Sequence, residues 1–187
     1  MVPAPSGLAV VQDFLNTRSR ADRDDDLLAT VRAAQAWAAG AVRAWSRESG
    51  AAVAGIRLTS ADLPPLRELR LALSEAAARF ADVPLAAGTD RSGRVVLAPA
   101  AGGWRSLAGI LAIEMFRAQQ ADRWRRLKTC RNPACPVAFY DRSPNNAGVW
   151  HDVRVCGNVA NLRASRARRR VSPPAADASR TATRSSG

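Results

Sequence analysis

Four side chains with the chemistry of metal ligands lie close together near the carboxyl end of this 187-residue chain. Cys130 and Cys135 are followed, after 15 intervening residues, by His151 and Cys156, and these are all the cysteines and the sole histidine of the sequence. Zn²⁺ favours four thiolate or imidazole ligands at tetrahedral corners, and a Cys3His set fills all four. The sequence therefore predicts one structural zinc ion with no open position for water or substrate.

The spacing of these cysteines and the histidine also allows roles other than zinc binding. A cysteine is often a small buried hydrophobic residue, and a lone histidine is more often a core or surface residue than a ligand. Two pairs favour a metal, but a four-residue gap is less specific than a CxxC gap, so another metal or a redox role stays an alternative. Between the pairs, Phe139 and Tyr140 precede a turn-forming SPNNAG sequence, which predicts a small β-hairpin.

An arginine-rich segment follows Cys156 directly. Asn158 is a good helix N-cap, and the residues after it up to Arg170 contain no proline. At about 100° per residue, Arg163, Arg166 and Arg170 share one face of such a helix, as expected for a stripe that contacts phosphates. The competing interpretation is a solvated helix that continues into a flexible tail. The predicted nucleic-acid-binding residues are Arg125, Arg126, Arg163, Arg166, Arg168, Arg169 and Arg170.

The net charge of +12 is concentrated in the last third of the chain. Residues 1 to 122 contain 14 basic and 13 acidic residues, whereas residues 123 to 187 contain 14 basic and 3 acidic residues. This asymmetry favours a polyanionic partner, because arginines that neutralise phosphates release condensed counterions. A general arginine bias would not explain why acidic residues disappear from the second part. The sequence has neither a long apolar run nor a signal-type N-terminus, and we expect a cytoplasmic protein.

Helical periodicity dominates the first two thirds of the chain. It predicts helices from about residue 27 to 47, from the caps at 59 and 60 to about 80, and from 104 to about 128. Residues 8–17 are either a short strand or the start of a helix, and residues 95–97 form a small hairpin or a single strand. The predicted fold is mainly α with a small β-hairpin, in which a helical domain precedes a small zinc-ribbon-like finger that ends in a basic helix.

The same patterns predict three segments. Residues 1–122 form the helical N-terminal domain, residues 123–171 form the finger with its basic helix, and residues 172–187 form a disordered tail. The tail prediction follows from its many serine, proline and alanine residues and its lack of large apolar ones.

The finger resembles the CGNR-type zinc finger of bacterial proteins. The resemblance lies in Cys130-x4-Cys135, in the FYDRS run at 139–143, and in Cys156-Gly157-Asn158 followed by arginines. The DFLNT sequence at 13–17 and the alanine-rich region after it resemble the ABATE domain that precedes this finger in the same family. The resemblance implies a stress-related transcriptional regulator.

Three positions depart from that family pattern. His151 stands where the family usually has cysteine, an exchange that preserves zinc chemistry. Val159 stands where the family usually has arginine, and Gly148 and Val149 stand where it often has basic residues. Any nucleic-acid contact made by those side chains in relatives is absent here, so the arginine stripe, together with Arg125 and Arg126, is expected to carry the binding.

We therefore expect a non-enzymatic protein that binds nucleic acid, in particular double-stranded DNA, as a transcriptional regulator. An enzyme is disfavoured because the sole histidine is assigned to the metal and no glycine-rich phosphate loop is present. The alternative is a zinc-braced module that binds protein or RNA. The N-terminal domain is expected to sense a ligand, form a homodimer or meet a partner. Asp13, Asn16 and Thr17 are expected to cap or turn the chain, with a ligand pocket as the less favoured role.

Overall fold

The structure is a computed structural model that describes residues 2–18, 25–51, 53, 55–75, 79–80, 82–159, 162 and 166. Within these residues the helices are α1 (Leu8–Leu15), α2 (Val31–Ser49), α3 (Leu63–Ser74) and α4 (Gly103–Gln120), with 3₁₀ turns at Ser60–Asp62 and Trp124–Arg126 and a π-helical turn at Val153–Gly157. The strands are β1 (Leu85–Thr89), β2 (Val95–Pro99), β3 (Leu127–Thr129) and β4 (Ala138–Tyr140). This is the predicted class, mainly helical with small antiparallel hairpins. Across the described residues, no helix combines the length and apolar character needed to cross a membrane.

Helix α1 is the element around which the other helices pack. Residues 8–17 were predicted as either a strand or a helix start, and Leu8–Leu15 is helical. Val11 and Phe14 have no exposed surface, and α1 contacts α2, α3, α4 and β4. Six of its eight residues are buried, which explains why its sequence is too apolar to show a clear helical period.

Helix α2 begins later than its predicted start near residue 27. Thr30 is the N-cap, and its hydroxyl oxygen accepts a hydrogen bond from the Ala33 N–H at 3.2 Å. The preceding Asp26 lies outside the helix, where it accepts a hydrogen bond from the Leu28 N–H and pairs with Arg70. The acidic residue is therefore used in a tertiary ion pair and does not complement the dipole of α2.

Helix α3 follows its prediction closely at the start. Thr59 and Asp62 form a capping box around the 3₁₀ turn, and the prolines at 64 and 65 fall in the first turn. The leucines at helical spacing are buried: Leu63, Leu66, Leu69 and Leu73. The predicted extension to residue 80 is wrong, because the helix ends at Ser74.

Helix α4 was predicted to continue to about Lys128, but it ends at Gln120. Asp122 adopts a left-handed conformation with φ 53°, and its N–H donates to the Gln119 carbonyl. The Arg123 N–H reaches back to the Ala118 carbonyl at 2.8 Å, which completes a Schellman motif. Glycine usually occupies this left-handed position, so the helix end carries no clear sequence signal. The chain after the helix end goes on to form β3.

The predicted hairpin around residues 95–97 is confirmed. Strands β1 and β2 pair in antiparallel register, with Leu85 opposite Pro99 and Thr89 opposite Val95. The hairpin packs against α4, where Leu107, Ile110 and Leu111 are buried.

Contacts divide the chain into two compact units, Met1–His151 and Asp152–Gly187. The boundary predicted between residues 122 and 123 stays a prediction. Within the first unit, β4 of the finger packs on α1. The predicted tail at 172–187 and most of the predicted basic helix lie outside the described residues.

Candidate metal centre

The first ligand pair lies in the loop of a short hairpin. Strands β3 and β4 are antiparallel, with Lys128 opposite Phe139, and the Cys130 N–H donates to the Val137 carbonyl at 2.9 Å. Cys130 therefore follows β3 directly and is held by the strand ladder. The sequence predicted a hairpin from Phe139 onward; its location is corrected, because the partner of β4 lies before Cys130.

Cys135 is positioned by a tight turn over Asn132 and Pro133. The Cys135 N–H donates to the Asn132 carbonyl at 2.8 Å, and the Ala134 N–H donates to the Asn132 side chain at 3.2 Å. Asparagine followed by proline is typical of such a turn. The turn brings the second sulfur back toward the first, as the spacing predicted.

His151 is brought alongside this loop by the backbone. The Arg131 N–H donates to the Val149 carbonyl at 2.9 Å, which places the segment before His151 next to the residue after Cys130. The Cys135 Sγ and His151 Nδ1 atoms lie 3.3 Å apart. That separation is close to the roughly 3.6 Å expected for two ligands of one tetrahedral zinc ion, given Zn–S of about 2.3 Å and Zn–N of about 2.0 Å.

Cys156 lies on the π-helical turn in the second compact unit. Asp152 caps this turn, and its carboxylate accepts hydrogen bonds from the Arg154 and Val155 N–H groups at 2.7 and 3.2 Å. The Cys156 N–H bonds to the Asp152 carbonyl at 2.9 Å, and the Cys156 side chain is buried. A single acidic residue thus fixes the conformation of the turn that carries the fourth ligand.

The four predicted ligand residues form one cluster. The ligand atoms of Cys130, Cys135, His151 and Cys156 all lie within 4.8 Å of one another. Ligands of a tetrahedral zinc ion are about 3.6 to 3.8 Å apart, so separations within 4.8 Å are compatible with one shared ion. Three sulfurs and one imidazole nitrogen suit Zn²⁺ and fill its coordination. The cluster fits one structural zinc ion, as predicted.

A charged pair stabilises the long loop between β4 and the histidine. The Lys128 ammonium donates to the Asp141 carboxylate at 2.7 Å and to the Asn146 and Gly148 carbonyls at 2.7 and 3.0 Å. The Asp141 carboxylate also accepts from the Ser143 and Gly148 N–H groups at 2.9 and 2.7 Å. This network sets the path of the loop that leads to His151.

The electrostatics of Asp141 follow from these contacts. Burial alone would raise the pKa of the Asp141 carboxyl, but hydrogen bonds from Lys128, Ser143 and the Gly148 N–H hold that pKa well below its usual range. A Cβ atom at Gly148 would lie 2.7 Å from the Asp141 Oδ1 atom, so glycine is required for this close approach. The glycine at position 148 thus has a structural reason in this chain.

Helix α1 holds the outer edge of the hairpin. The Asn16 side chain donates to the Ala138 carbonyl at 2.8 Å and accepts from the Ala138 N–H at 2.9 Å, so it pairs with β4 as a neighbouring strand would. The Gln12 amide adds a longer bond of 3.4 Å to the same carbonyl. Asn16 was expected to cap or turn the chain locally, whereas its side chain reaches a strand 122 residues further on.

The other polar residues of DFLNT also make long-range bonds. The Asp13 carboxylate accepts from the Trp37 Nε1–H at 2.9 Å. The Thr17 hydroxyl accepts from Arg70 at 3.0 Å, in addition to a local bond to the Phe14 carbonyl. These residues were expected to cap or turn the chain locally. Most of the side-chain hydrogen bonds described for them instead join distant parts of the chain.

The arginines predicted to bind nucleic acid differ in their surroundings. Arg125 is exposed and pairs with Asp122 through two hydrogen bonds of 2.7 Å. The Arg126 guanidinium donates to the Asp141 and Ser143 carbonyls at 3.1 and 2.8 Å, so it has a structural role in the loop. Arg166 is helical and exposed. The other predicted arginines lie outside the described residues: Arg163, Arg168, Arg169 and Arg170.

Lys128, Asp141 and Gln12 were not singled out by the sequence. A usable signal existed for the first two, since Lys128 is the sole lysine and Asp141 is one of three acidic residues after position 122. An isolated acid in a basic segment is a candidate for a buried pair. Gln12 has no comparable signal in the sequence.

Comparison with known families supports the assignment of the metal centre. Residues 126–169 match the CGNR zinc finger family. The matched segment begins just before β3 and contains all four predicted ligands. This segment of the chain is therefore similar to the CGNR zinc finger. No curated protein matches the chain.

Proposed function

We propose that this protein is a zinc-dependent nucleic-acid-binding protein that acts as a transcriptional regulator on double-stranded DNA. The observation that carries the proposal is the convergence of four ligands in a segment that matches a zinc finger family and continues directly into an arginine-rich sequence. A closed Cys3His shell gives the ion a structural role, which argues for binding and against catalysis.

The charge distribution supports a polyanion as the partner. The excess of basic over acidic residues begins with the finger and continues to the carboxyl end, whereas the helical region is nearly balanced. Arg166 is exposed, and Arg163 and Arg170 share its face if the helix continues. Arg125 keeps part of its guanidinium exposed beside Asp122, while Arg126 donates to loop carbonyls, so we assign phosphate contact mainly to the residues after Cys156.

The helical region would then supply regulation, through a ligand or a second copy of the chain. Its resemblance to an ABATE domain is consistent with this role and is part of the proposal. The bonds from Asn16 to Ala138 offer a physical route by which a change in the helices reaches the finger.

A salt titration of binding to a random DNA duplex tests the proposal. Fluorescence anisotropy of the zinc-loaded chain should show affinity that falls steeply with salt. Replacing Arg163, Arg166 and Arg170 together by Ala should lower the magnitude of the log–log slope by roughly 2 to 3, because each phosphate contact contributes about 0.9.

A matched triple variant in the helical region is the control. Arg32, Arg43 and Arg57 are exposed, and their replacement by Ala removes the same charge at other positions. If the log–log slope fell equally in the two triple variants, net charge alone would explain the effect. The arginine stripe would then be rejected as the binding surface. Tighter binding to a hairpin RNA than to duplex DNA would change the partner to RNA, and absence of binding to both would leave a protein-interaction module.

A further inference from the structure

A cavity of about 280 Å³ lies between α1 and α2. Its walls are mainly apolar and include Val10, Ala41, Ala44 and Trp45. This volume is near the lower end of small-molecule sites, which are typically about 300–1,000 Å³. The cavity is therefore large enough for a compact organic molecule and offers an apolar surface for its body.

The charged groups of this cavity have one sign. Asp13 and Glu48 contribute carboxylates, and the described lining residues include no arginine or lysine. Asp13 gives one oxygen to the Trp37 Nε1–H, and a carboxylate can accept further hydrogen bonds. Both acidic residues are exposed, so their charges stay in water, whereas Val10 and Trp45 of the apolar wall are buried.

The cavity shares residues with the contact that holds the finger hairpin. Gln12 and Asn16 line it, are buried, and are the residues whose amides bond to Ala138. A molecule in the cavity would touch the side chains that position β4. Binding of a molecule in the cavity should therefore affect the position of β4, the strand that these side chains contact.

We propose that this cavity binds a small organic cation, with an apolar body against α1 and α2 and an ammonium group held by Asp13 and Glu48. Charge complementarity selects a cation over an acid, and the apolar wall selects an organic amine over a metal ion or free ammonium. Binding is sensed at Ala138 through Asn16 and Gln12. This site is independent of the nucleic-acid proposal, because it requires no contact with the arginine-rich segment.

Three probes with the same phenyl body separate charge from apolar burial. Phenethylamine, 2-phenylethanol and phenylacetate are titrated into the full-length, zinc-loaded chain, and binding is followed by backbone amide NMR. We expect the amine to bind roughly threefold to tenfold more tightly than the alcohol, and the acid to be the weakest, since exposed charge pairs contribute modestly. The shifted resonances should cluster at Ala41, Ala44 and Ala138.

Variants assign the preference to the two carboxylates. D13N combined with E48Q should reduce amine affinity to that of the alcohol, whereas E68Q, an exposed carboxylate on α3 outside the cavity, should leave it unchanged. A44F fills the cavity from an exposed position and should abolish binding of both molecules. No DNA is present, so failure here is distinct from failure of the proposed function.

Several results would overturn the proposal. Equal affinity for the amine and the alcohol would reject the charge selection, as would an amine affinity unaffected by D13N with E48Q. Absence of shifts around the cavity at millimolar amine would reject the site itself. An unchanged Ala138 resonance at saturating amine would reject the connection to the hairpin.

Discussion

The helical region and the finger hairpin obtain their stability from different contacts. Among the helices, Phe14, Leu66 and Ile110 have no exposed surface, so apolar burial stabilises the fold. The β3–β4 hairpin has only 3 residues in each strand. Ala138 joins the apolar core, and the ligand residues and the Lys128–Asp141 pair hold the rest of the hairpin. A hairpin this small is marginal in water without such support. Loss of the metal and loss of core packing should therefore damage different parts of the chain.

Removal of zinc is the strongest way to separate the two regions. A chelator should abolish amide protection in residues 127–140, while α3 and α4 keep theirs, because structural zinc binding is worth roughly 10–16 kcal/mol in small fingers. Hydrogen exchange followed by mass spectrometry measures both regions at once. The Cys135→Ser variant should give the same pattern without a chelator. Equal loss of protection in the helices would show that the two regions unfold together.

Leu66→Ala tests whether apolar burial stabilises the helical region. This side chain is fully buried in α3, and its truncation should cost about 2 to 5 kcal/mol through lost burial and a residual cavity. Chemical denaturation of the zinc-loaded protein gives the change in unfolding free energy, and a competition assay gives zinc affinity. Leu71, on the same helix, is exposed, and Leu71→Ala serves as the matched control. A marked loss of zinc affinity in Leu66→Ala would contradict the separation.

Asn16→Ala tests the contact that joins the two regions. The substitution removes both bonds to Ala138 and leaves a buried N–H and carbonyl with weaker partners, which should cost about 1 to 3 kcal/mol. Exchange at the Ala138 N–H should accelerate more than exchange in α3. Asp13→Ala, one turn earlier and exposed, is the control. Unchanged exchange at Ala138 would mean that the helix does not brace the strand.

Gly148→Ala tests the loop that leads to His151. The added methyl group would meet the Asp141 carboxylate at 2.7 Å, and that carboxylate is held by Lys128, so the loop must shift. We expect a loss of about 1 to 3 kcal/mol and weaker zinc binding. Ala147→Gly, at the neighbouring exposed position, is a control for loop flexibility. Wild-type zinc affinity in Gly148→Ala would show that the loop adapts at no cost.

These contacts also show where sequence reasoning succeeds. Helix α3 was predicted because the helical spacing of its apolar residues is local information, and the ligands were predicted because cysteine and histidine are rare in this chain. The end of α4 was missed because Asp122 takes a conformation usual for glycine. The role of Asn16 was missed because its partner, Ala138, is distant in sequence and bonds through its backbone, which carries no residue-type signal.

Removal of the part-buried ion pair between Asp26 and Arg70 should have the smallest effect on stability, and that effect should be confined to the helical region. Burial alone would raise the pKa of the Asp26 carboxyl, but hydrogen bonds from Arg70 and the Leu28 N–H lower it below its usual value. A carboxyl with a lowered folded-state pKa stabilises the protein above its unfolded pKa of about 3.9, and that contribution is lost as pH falls further. Asp26→Asn should therefore flatten the decline of helical stability below about pH 4.

Zinc release must be distinguished from this effect, since acid also protonates thiolate ligands. The experiment compares wild type and Asp26→Asn by thermal unfolding at several pH values, with metal content measured in each sample. The two proteins should lose zinc at the same pH, because Asp26 is not a ligand, and should differ in the unfolding of the helices alone. Asp25→Asn, exposed and adjacent, controls for the loss of one charge. Parallel pH profiles for wild type and Asp26→Asn would show that the Arg70 pair contributes no pH dependence, and would leave apolar packing as the source of stability on the helical side.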